Sequence, residues 1–232
     1  MHVGTRSSKV VLCPMAIERK AIARELARAG MKDVRVVQTG IGKDAIVASL
    51  KGLFAGGPAP DVVVLAGACG GLRPVEDVPL IARVIDERGS EWTSGLGFTP
   101  TGRTLVAVDR VVATPQDKRR LADETGAAIV DMESHAFAAE CERLGASGHG
   151  LLWSIVRGIS DSPEESLPAE VLGWITPSGE TRSGRAVFDM VRSPRLVPHI
   201  TRVLRRSSRV LPLVGRRVVE VLRSADRGRG VE

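Results

Sequence analysis

An α/β domain, with a sheet covered by helices on both faces, is what this chain predicts. Three observations carry that expectation. Apolar runs of strand length alternate with segments of helical periodicity from residue 9 to residue 161. Most of the runs are apolar at successive positions rather than at every second one, so both faces of each strand need cover. The core must be built from Val, Leu, Ile and Ala, because aromatics make up 3% of the chain and there is no tyrosine. Valine at this density favours buried strands.

The elements follow in order. "KVVLCPM" (9–15) predicts a buried strand. "IERKAIARELARAG" (17–30) repeats at helical spacing and stops at Gly30. "VRVVQTG" (34–40) predicts a second strand, and "KDAIVASLKGLFAGG" (43–57) a second helix that ends in glycines. "DVVVLAGACGG" (61–71) is a very apolar strand running into a glycine turn, and "VPLIARVID" (78–86) another strand. Residues 87–103, rich in Gly, Ser and Thr, predict a loop. "TLVAVDRVVAT" (104–114) supplies more strand, "QDKRRLADETG" (116–126) a polar helix and "AAIVDM" (127–132) a strand. "ESHAFAAECERLG" (133–145) and "LLWSIVRGISD" (151–161) close the series as helix and strand. Ligands of such sheets gather at the carboxyl ends of strands. Glu18, Gly70, Gly71, Met132, Glu133 and Asp161 all fall there.

Composition narrows the function classes. A length of 232 residues suits one α/β domain, or at most two small ones. Cys13, Cys69 and Cys141 are odd in number, far apart and in apolar settings, which predicts reduced buried thiols rather than a disulfide framework. The four histidines show no metal spacing, so no metal is expected. "MHVGTRSSKV" holds no apolar leader segment, and no window of about 18 uncharged apolar residues could span a bilayer. A cytoplasmic protein is the expectation. The net charge of +6 comes from the tail, where arginines recur from Arg192 onward with few acids to balance them.

Several stretches could carry chemistry, and each has a plain reading. In "VDMES" (130–134), Asp131 could cap the following helix and Glu133 favour its positive end. That accounts for the acids but not for the flexible methionine between them. In "RGISD" (157–161), alternation puts Arg157, Ile159 and Asp161 on one face, where a local ion pair suffices. Glu18 reads plainly as an exposed acid at a helix start. "AGACGGL" (66–72) is either a tight packing turn or a place where a ligand reaches backbone amides past small side chains. "TGIGKDA" (39–45) has the form of a dinucleotide fingerprint, but it follows the second strand and lacks the later acid. Glycines permitting a tight turn explain it better.

Taken together, "PMAIE", "AGACGGL", "VDMES" and "VRGISD" resemble the nucleoside phosphorylase/nucleosidase superfamily, which includes the 5′-methylthioadenosine/S-adenosylhomocysteine nucleosidases. The resemblance covers roughly residues 9–165. It implies a three-layer nucleoside phosphorylase/hydrolase-like fold with a central mixed sheet flanked by helices. It implies cleavage of an N-ribosidic bond with no cofactor. Met132 would pack beneath the ribose and Glu133 bind its hydroxyls. Asp161 would protonate N7 of a purine, with Ser160 beside it, and Glu18 would activate the attacking water. Ala68, Cys69 and Gly70 would border the substrate. The chemistry is coherent. Breaking the bond leaves an oxocarbenium-like sugar and an anionic base, and protonation makes that base a neutral leaving group. A carboxyl acid near neutral pH needs a raised pKa, which burial at a strand end can provide. A second carboxylate prepares water on the opposite sugar face.

Two departures from the family matter. Hexameric phosphorylases carry an arginine before the glycine stretch and a phosphate-contacting serine within it; this chain has Leu65 and Ala68. Water is therefore favoured over phosphate, although Arg19 or Arg157 could still supply charge. The purine-stacking phenylalanine of the nucleosidases is also missing. Aliphatic packing, or an aromatic from elsewhere such as Trp92 or Phe98, must replace it.

The chain then divides into a core, 1–165, and a C-terminal extension, 166–232, with basic amphipathic helices packing on the core. "LPAEVLGWITPSGETR", an "SPRLVP" turn and basic apolar helices are similar to the C-terminal region of the hopanoid-associated phosphorylases. That similarity implies a lipid-linked nucleoside of the adenosylhopane kind. Arginines punctuating Val and Leu at helical spacing could meet anionic membrane at the inner face. They could equally cover the domain or a second subunit, and a homo-oligomer, a dimer foremost, is expected. Nucleic acid is not an expected partner, because no aromatic residues interleave with the basic ones. The rivals are a soluble nucleosidase, a phosphorylase, and a non-catalytic nucleotide or lipid-surface binding module.

Overall fold

The computed structural model describes residues 8–167, 176, 178–179 and 196–229. Its elements are β1 (Lys9–Cys13), α1 (Ala16–Arg28), β2 (Arg35–Gln38), α2 (Lys43–Ala55), β3 (Val62–Gly71), β4 (Ile81–Asp86), β5 (Glu91–Trp92), β6 (Arg103–Ala107), α3 (Pro115–Thr125), β7 (Ile129–Asp131), α4 (Ser134–Leu144), β8 (Leu152–Asp161) and a C-terminal helix (Leu196–Arg229). The strands form one mixed sheet in the order β2-β1-β3-β7-β6-β4-β5, with β8 paired to β3.

The doubly apolar strands explain the layers. On β1, Val11 and Cys13 face α1 and the C-terminal helix, where they pack with Ile22, Leu26, Val210, Val214 and Leu222. The alternate residues Val10 and Leu12 face α2 and α4, against Ile46, Leu50, Phe137 and Cys141. β3 repeats the split, with Val62, Val64 and Ala66 on one side and Val63 and Leu65 on the other. A third cluster seats Leu121 and Ala122 of α3 on Val106 and Val130. The described part of the C-terminal helix is thus one of the covering layers, with its apolar stripe in the core. Its arginines reach acids of the body: Arg209 to Asp77 at 3.1 Å, Arg216 to Glu25 at 3.6 Å and Arg206 to Glu165 at 3.6 Å. No helix among the described residues is long and apolar enough to cross a membrane.

Several local expectations need correcting. "AGACGG" is not a turn: β3 runs on through Gly71. The loop at 87–103 contains β5, a short antiparallel partner of β4. The strand foreseen at 104–114 ends at Ala107, well before the Thr114 cap and Pro115 start α3. Of 167–182, only Leu167, Thr176, Ser178 and Gly179 are described, and the side chains of 196–204 are not, so the tail resemblance lies largely outside the described residues.

The topology opens a gap in the sheet. β1 pairs with residues 62–65 of β3, while β7 pairs with Gly70 and Gly71. β8 runs along the whole opposite edge of β3, so β1 and β7 share one edge. Between them the backbone of Ala68 has no strand partner among the described residues on that edge, and a side chain takes that place.

Candidate active site

That side chain is Glu18. Its Oε1 accepts the Ala68 N–H at 2.7 Å, and its Oε2 accepts the Met15 N–H at 2.8 Å at the start of α1. The plain reading of Glu18 as an exposed acid fails, since it is 1% exposed. Gly67 makes the approach possible: a Cβ there would lie 2.6 Å from Glu18 Oε1. The small residues of "AGACGG" leave the volume that the carboxylate fills. Burial pushes the Glu18 carboxyl up to about 7; the two N–H groups and Arg157 offset that in part, and Glu133 adds to it.

Glu133 sits at the head of α4. Its Oε1 accepts the Gly42 N–H at 2.9 Å, and its Oε2 faces Arg157 Nη2 at 3.2 Å. Gly40 and Gly42 both adopt positive φ, so "TGIGKDA" is the tight turn expected of its glycines. That turn also aims a backbone donor at Glu133. Burial raises the Glu133 carboxyl above its ordinary range, Arg157 opposes this, and Asp131 adds to it. Asp131 has the structural role: it caps α4 by accepting from the Ser134 N–H and hydroxyl, and it pairs with Arg157. Arg157 is fully buried. Burial works against its charge, but Asp131, Glu133 and Glu18 outweigh that and keep it protonated. Its Nε and Nη1 have no hydrogen-bond partner among the described residues.

Arg157 and Asp161 are not an ion pair, although strict alternation puts them on one face. The β3–β8 register shifts after Cys69↔Ile159, so that Gly70 pairs with Asp161. This irregularity at Ser160 breaks the alternation, as bulges near sites do, and both Ser160 and Asp161 border the cavity. Asp161 turns instead to Lys118 of α3, whose Nζ lies 2.5 Å from Oδ2. Ser160 Oγ lies 2.7 Å from Asp161 Oδ1 and 3.0 Å from the Cys69 carbonyl. Burial raises the Cys69 thiol well above its ordinary value, which leaves it an inert wall. The sequence of α3 predicts a polar helix and does not mark Lys118. The one available signal was its position, one turn past the Thr114 cap, on the face shared with Leu121 and Ala122.

All eight candidate residues, Glu18, Ala68, Cys69, Gly70, Met132, Glu133, Ser160 and Asp161, border one cavity of about 180 Å³. Its apolar walls are aliphatic: Ile41, Val111, Val112, Val130 and Leu167. Neither Trp92 nor Phe98 reaches it. Phe98 instead stacks edge-on to Trp153 at 5.5 Å, and both Phe98 and Trp92 pack on the core. Among the described residues that border it, Arg110 is the one cation, and it pairs with Glu87 at 2.5 Å. Among the described residues, no group of His, Cys, Asp or Glu is placed to hold a metal ion.

No family model matches the chain, and no curated protein sequence matches it. The likeness is to solved structures. The 5′-methylthioadenosine/S-adenosylhomocysteine nucleosidase of Helicobacter pylori superposes with a TM-score of 0.62 at 13% identity, covering 95% of this chain and 99% of that one. The 5′-methylthioadenosine nucleosidase of Arabidopsis thaliana gives 0.60 at 15% identity, over 94% of this chain and 95% of that one. Futalosine hydrolase of Helicobacter pylori gives 0.62 at 13% identity, over 94% and 98%. At such identities the likeness establishes the fold: this chain has the three-layer architecture of those hydrolases.

Proposed function

We propose that the chain is an N-ribosyl hydrolase that releases adenine from a 5′-substituted purine nucleoside. The observation that carries this reading is the convergence of three buried carboxyls, Glu18, Glu133 and Asp161, on one cavity at the strand ends. A pure binding module has no use for all three. Glu18, poised at about 7, takes a proton from water as the water oxygen bonds to C1′. The C1′–N9 bond breaks and its electron pair passes to the base. Asp161 delivers a proton to N7, so the base leaves neutral. Glu133, held by the Gly42 N–H and Arg157, accepts the ribose hydroxyls, and Met132 packs against the sugar. Among the described residues, the walls that would hold the purine are aliphatic.

Hydrolysis is favoured over phosphorolysis. The Ala68 N–H is spent on Glu18, Leu65 is wholly buried, and Arg157 faces Asp131 and Glu133 rather than the cavity. For the 5′ substituent, our finer reading is a lipid-linked, adenosylhopane-like nucleoside, met at the surface of an anionic membrane by a cytoplasmic protein. Two observations support it: Ile17, next to the bordering residue Glu18, and Val111, itself a bordering residue, are exposed by 45% and 41%, and Arg205, Arg209, Arg216 and Arg223 are exposed along the C-terminal helix. The cavity of about 180 Å³ favours a second reading, a small soluble 5′-thio nucleoside. In that case Ile17 and Val111 are free to face a second copy in a homodimer.

One experiment separates these. The full chain is incubated with 5′-methylthioadenosine, and with a lipid-linked adenosine in anionic vesicles, each with and without phosphate. Free adenine and free sugar without phosphate are expected in both cases, with the vesicle substrate preferred. Ribose 1-phosphate appearing only on phosphate addition would overturn hydrolysis. Turnover of the soluble nucleoside alone, with no vesicle binding at any salt, would return the substrate to the soluble class.

A further inference from the structure

We infer that Lys118 is the positioning residue for the leaving-group proton, acting through Asp161; this rests on the nucleosidase reading and adds to it a source for the acid's proton. Lys118 is 0% exposed, on a helix that is otherwise largely polar. An ammonium is kept in such a place only when it is fully paired. Its three donors are all taken: Asp161 Oδ2 at 2.5 Å, the Ser162 carbonyl at 2.7 Å and the Glu165 carbonyl at 2.9 Å. Those carbonyls belong to a tight turn that closes on itself, with Ser162 N–H donating to Glu165 Oε2 at 2.7 Å and Glu165 N–H donating to the Ser162 carbonyl at 3.1 Å. Arg206 also lies 3.6 Å from that Glu165 carboxylate. No donor of Lys118 is left for a substrate, and it does not border the cavity. Whatever it does for chemistry passes through Asp161.

The departing base needs a proton, and Asp161, the carboxyl that borders the cavity, is hydrogen-bonded to a buried donor that carries one, Lys118 Nζ. The proton is stored on the pair. As the C1′–N9 bond breaks and its electrons move to the base, Lys118 Nζ passes a proton to Asp161 Oδ2, and the Asp161 carboxyl passes one to N7. Lysine is left as the neutral amine and Asp161 as the carboxylate. Water gives its hydroxyl to C1′ and its proton to Glu18, and that proton returns through solvent to restore the ammonium. One water is consumed, and no other reactant is needed. Ser160 on Oδ1 and Lys118 on Oδ2 hold both oxygens of a carboxyl that borders the cavity.

The test exploits the leaving group. Lys118→Met keeps the length and apolar stem and removes the proton. On a purine nucleoside, kcat/KM should fall by about 100- to 10,000-fold, the range of positioned proton transfer. On the matching 4-nitrophenyl riboside, whose phenolate departs without a proton, it should change by less than about threefold. Equal loss on both substrates means Lys118 only holds the fold, and no loss on either means it holds nothing the reaction needs; both overturn the inference. Where the single variant fails to fold, or the phenolic riboside is not taken, the double variant Lys118→Met/Asp161→Asn decides, because it leaves no buried carboxylate unpaired at that site. It should match Asp161→Asn alone on the purine nucleoside, whereas a further tenfold loss would show that Lys118 acts independently of Asp161. A wild-type chain inert toward every purine nucleoside removes the nucleosidase reading and this inference with it. An active wild type without leaving-group selectivity in the variant removes this inference only.

Discussion

Glu18→Gln is the perturbation whose size the structure allows to be worked out. Folding moves this carboxyl from its ordinary 4.5 to about 7, chiefly by burial. At about 1.4 kcal/mol per pH unit, that rise corresponds to about 3 kcal/mol. The folded state binds the proton more tightly than the unfolded chain. The group's contribution is therefore fully present below about pH 4.5 and is lost as pH rises through 7. Glutamine cannot titrate, so the variant escapes this loss. It has a different penalty: two N–H donors, from Ala68 and Met15, now meet one carbonyl oxygen and one NH₂. An unmet buried donor costs about 1–3 kcal/mol. The variant should be less stable than wild type at pH 5 and equal or more stable at pH 9, with the difference swinging by about 2.5 kcal/mol, since part of the shift is already spent at pH 5. Urea unfolding at pH 5, 7 and 9 reads this directly. In parallel, wild-type kcat/KM should rise with pH around 7, because the base acts only when ionised, and the variant should lose about 100-fold or more. A stability difference that stays constant from pH 5 to pH 9, or a rising limb centred near 4.5, would refute the reasoning about Glu18.

Gly67→Ala places a methyl 2.6 Å from Glu18 Oε1 and must push the carboxylate off the Ala68 N–H. A displacement near 1 Å costs about 100-fold in turnover, while melting should show a fold that is kept at a cost of about 1–3 kcal/mol. Leu222→Ala tests the C-terminal helix as a core layer. Leu222 is fully buried among Val11, Ile22 and Val214, so urea unfolding should show a loss of about 2–5 kcal/mol; a loss under about 1 kcal/mol would mean that the helix merely rests on the surface.

The chain by itself determined the layers, because strands apolar at both parities can be stable only between two sets of helices. It also marked the strand ends where Glu18, Glu133, Ser160 and Asp161 lie, because acids at the ends of apolar runs stand out locally. The partners of those acids were decided by the tertiary structure alone. Arg157 goes to Asp131 and Glu133 because the register shift at Ser160 re-aims Asp161. The Gly42 N–H reaches Glu133 across 91 positions of sequence, and Lys118 reaches Asp161 across 43. Sequence periodicity reports which face a residue occupies within its own element, whereas burial and charge pairing depend on which other element arrives there. Lys118 sits on a helix whose sequence is polar and is fully buried in the fold, because the end of β8 meets it with the Asp161 carboxylate and the turn that follows closes over it with two carbonyls.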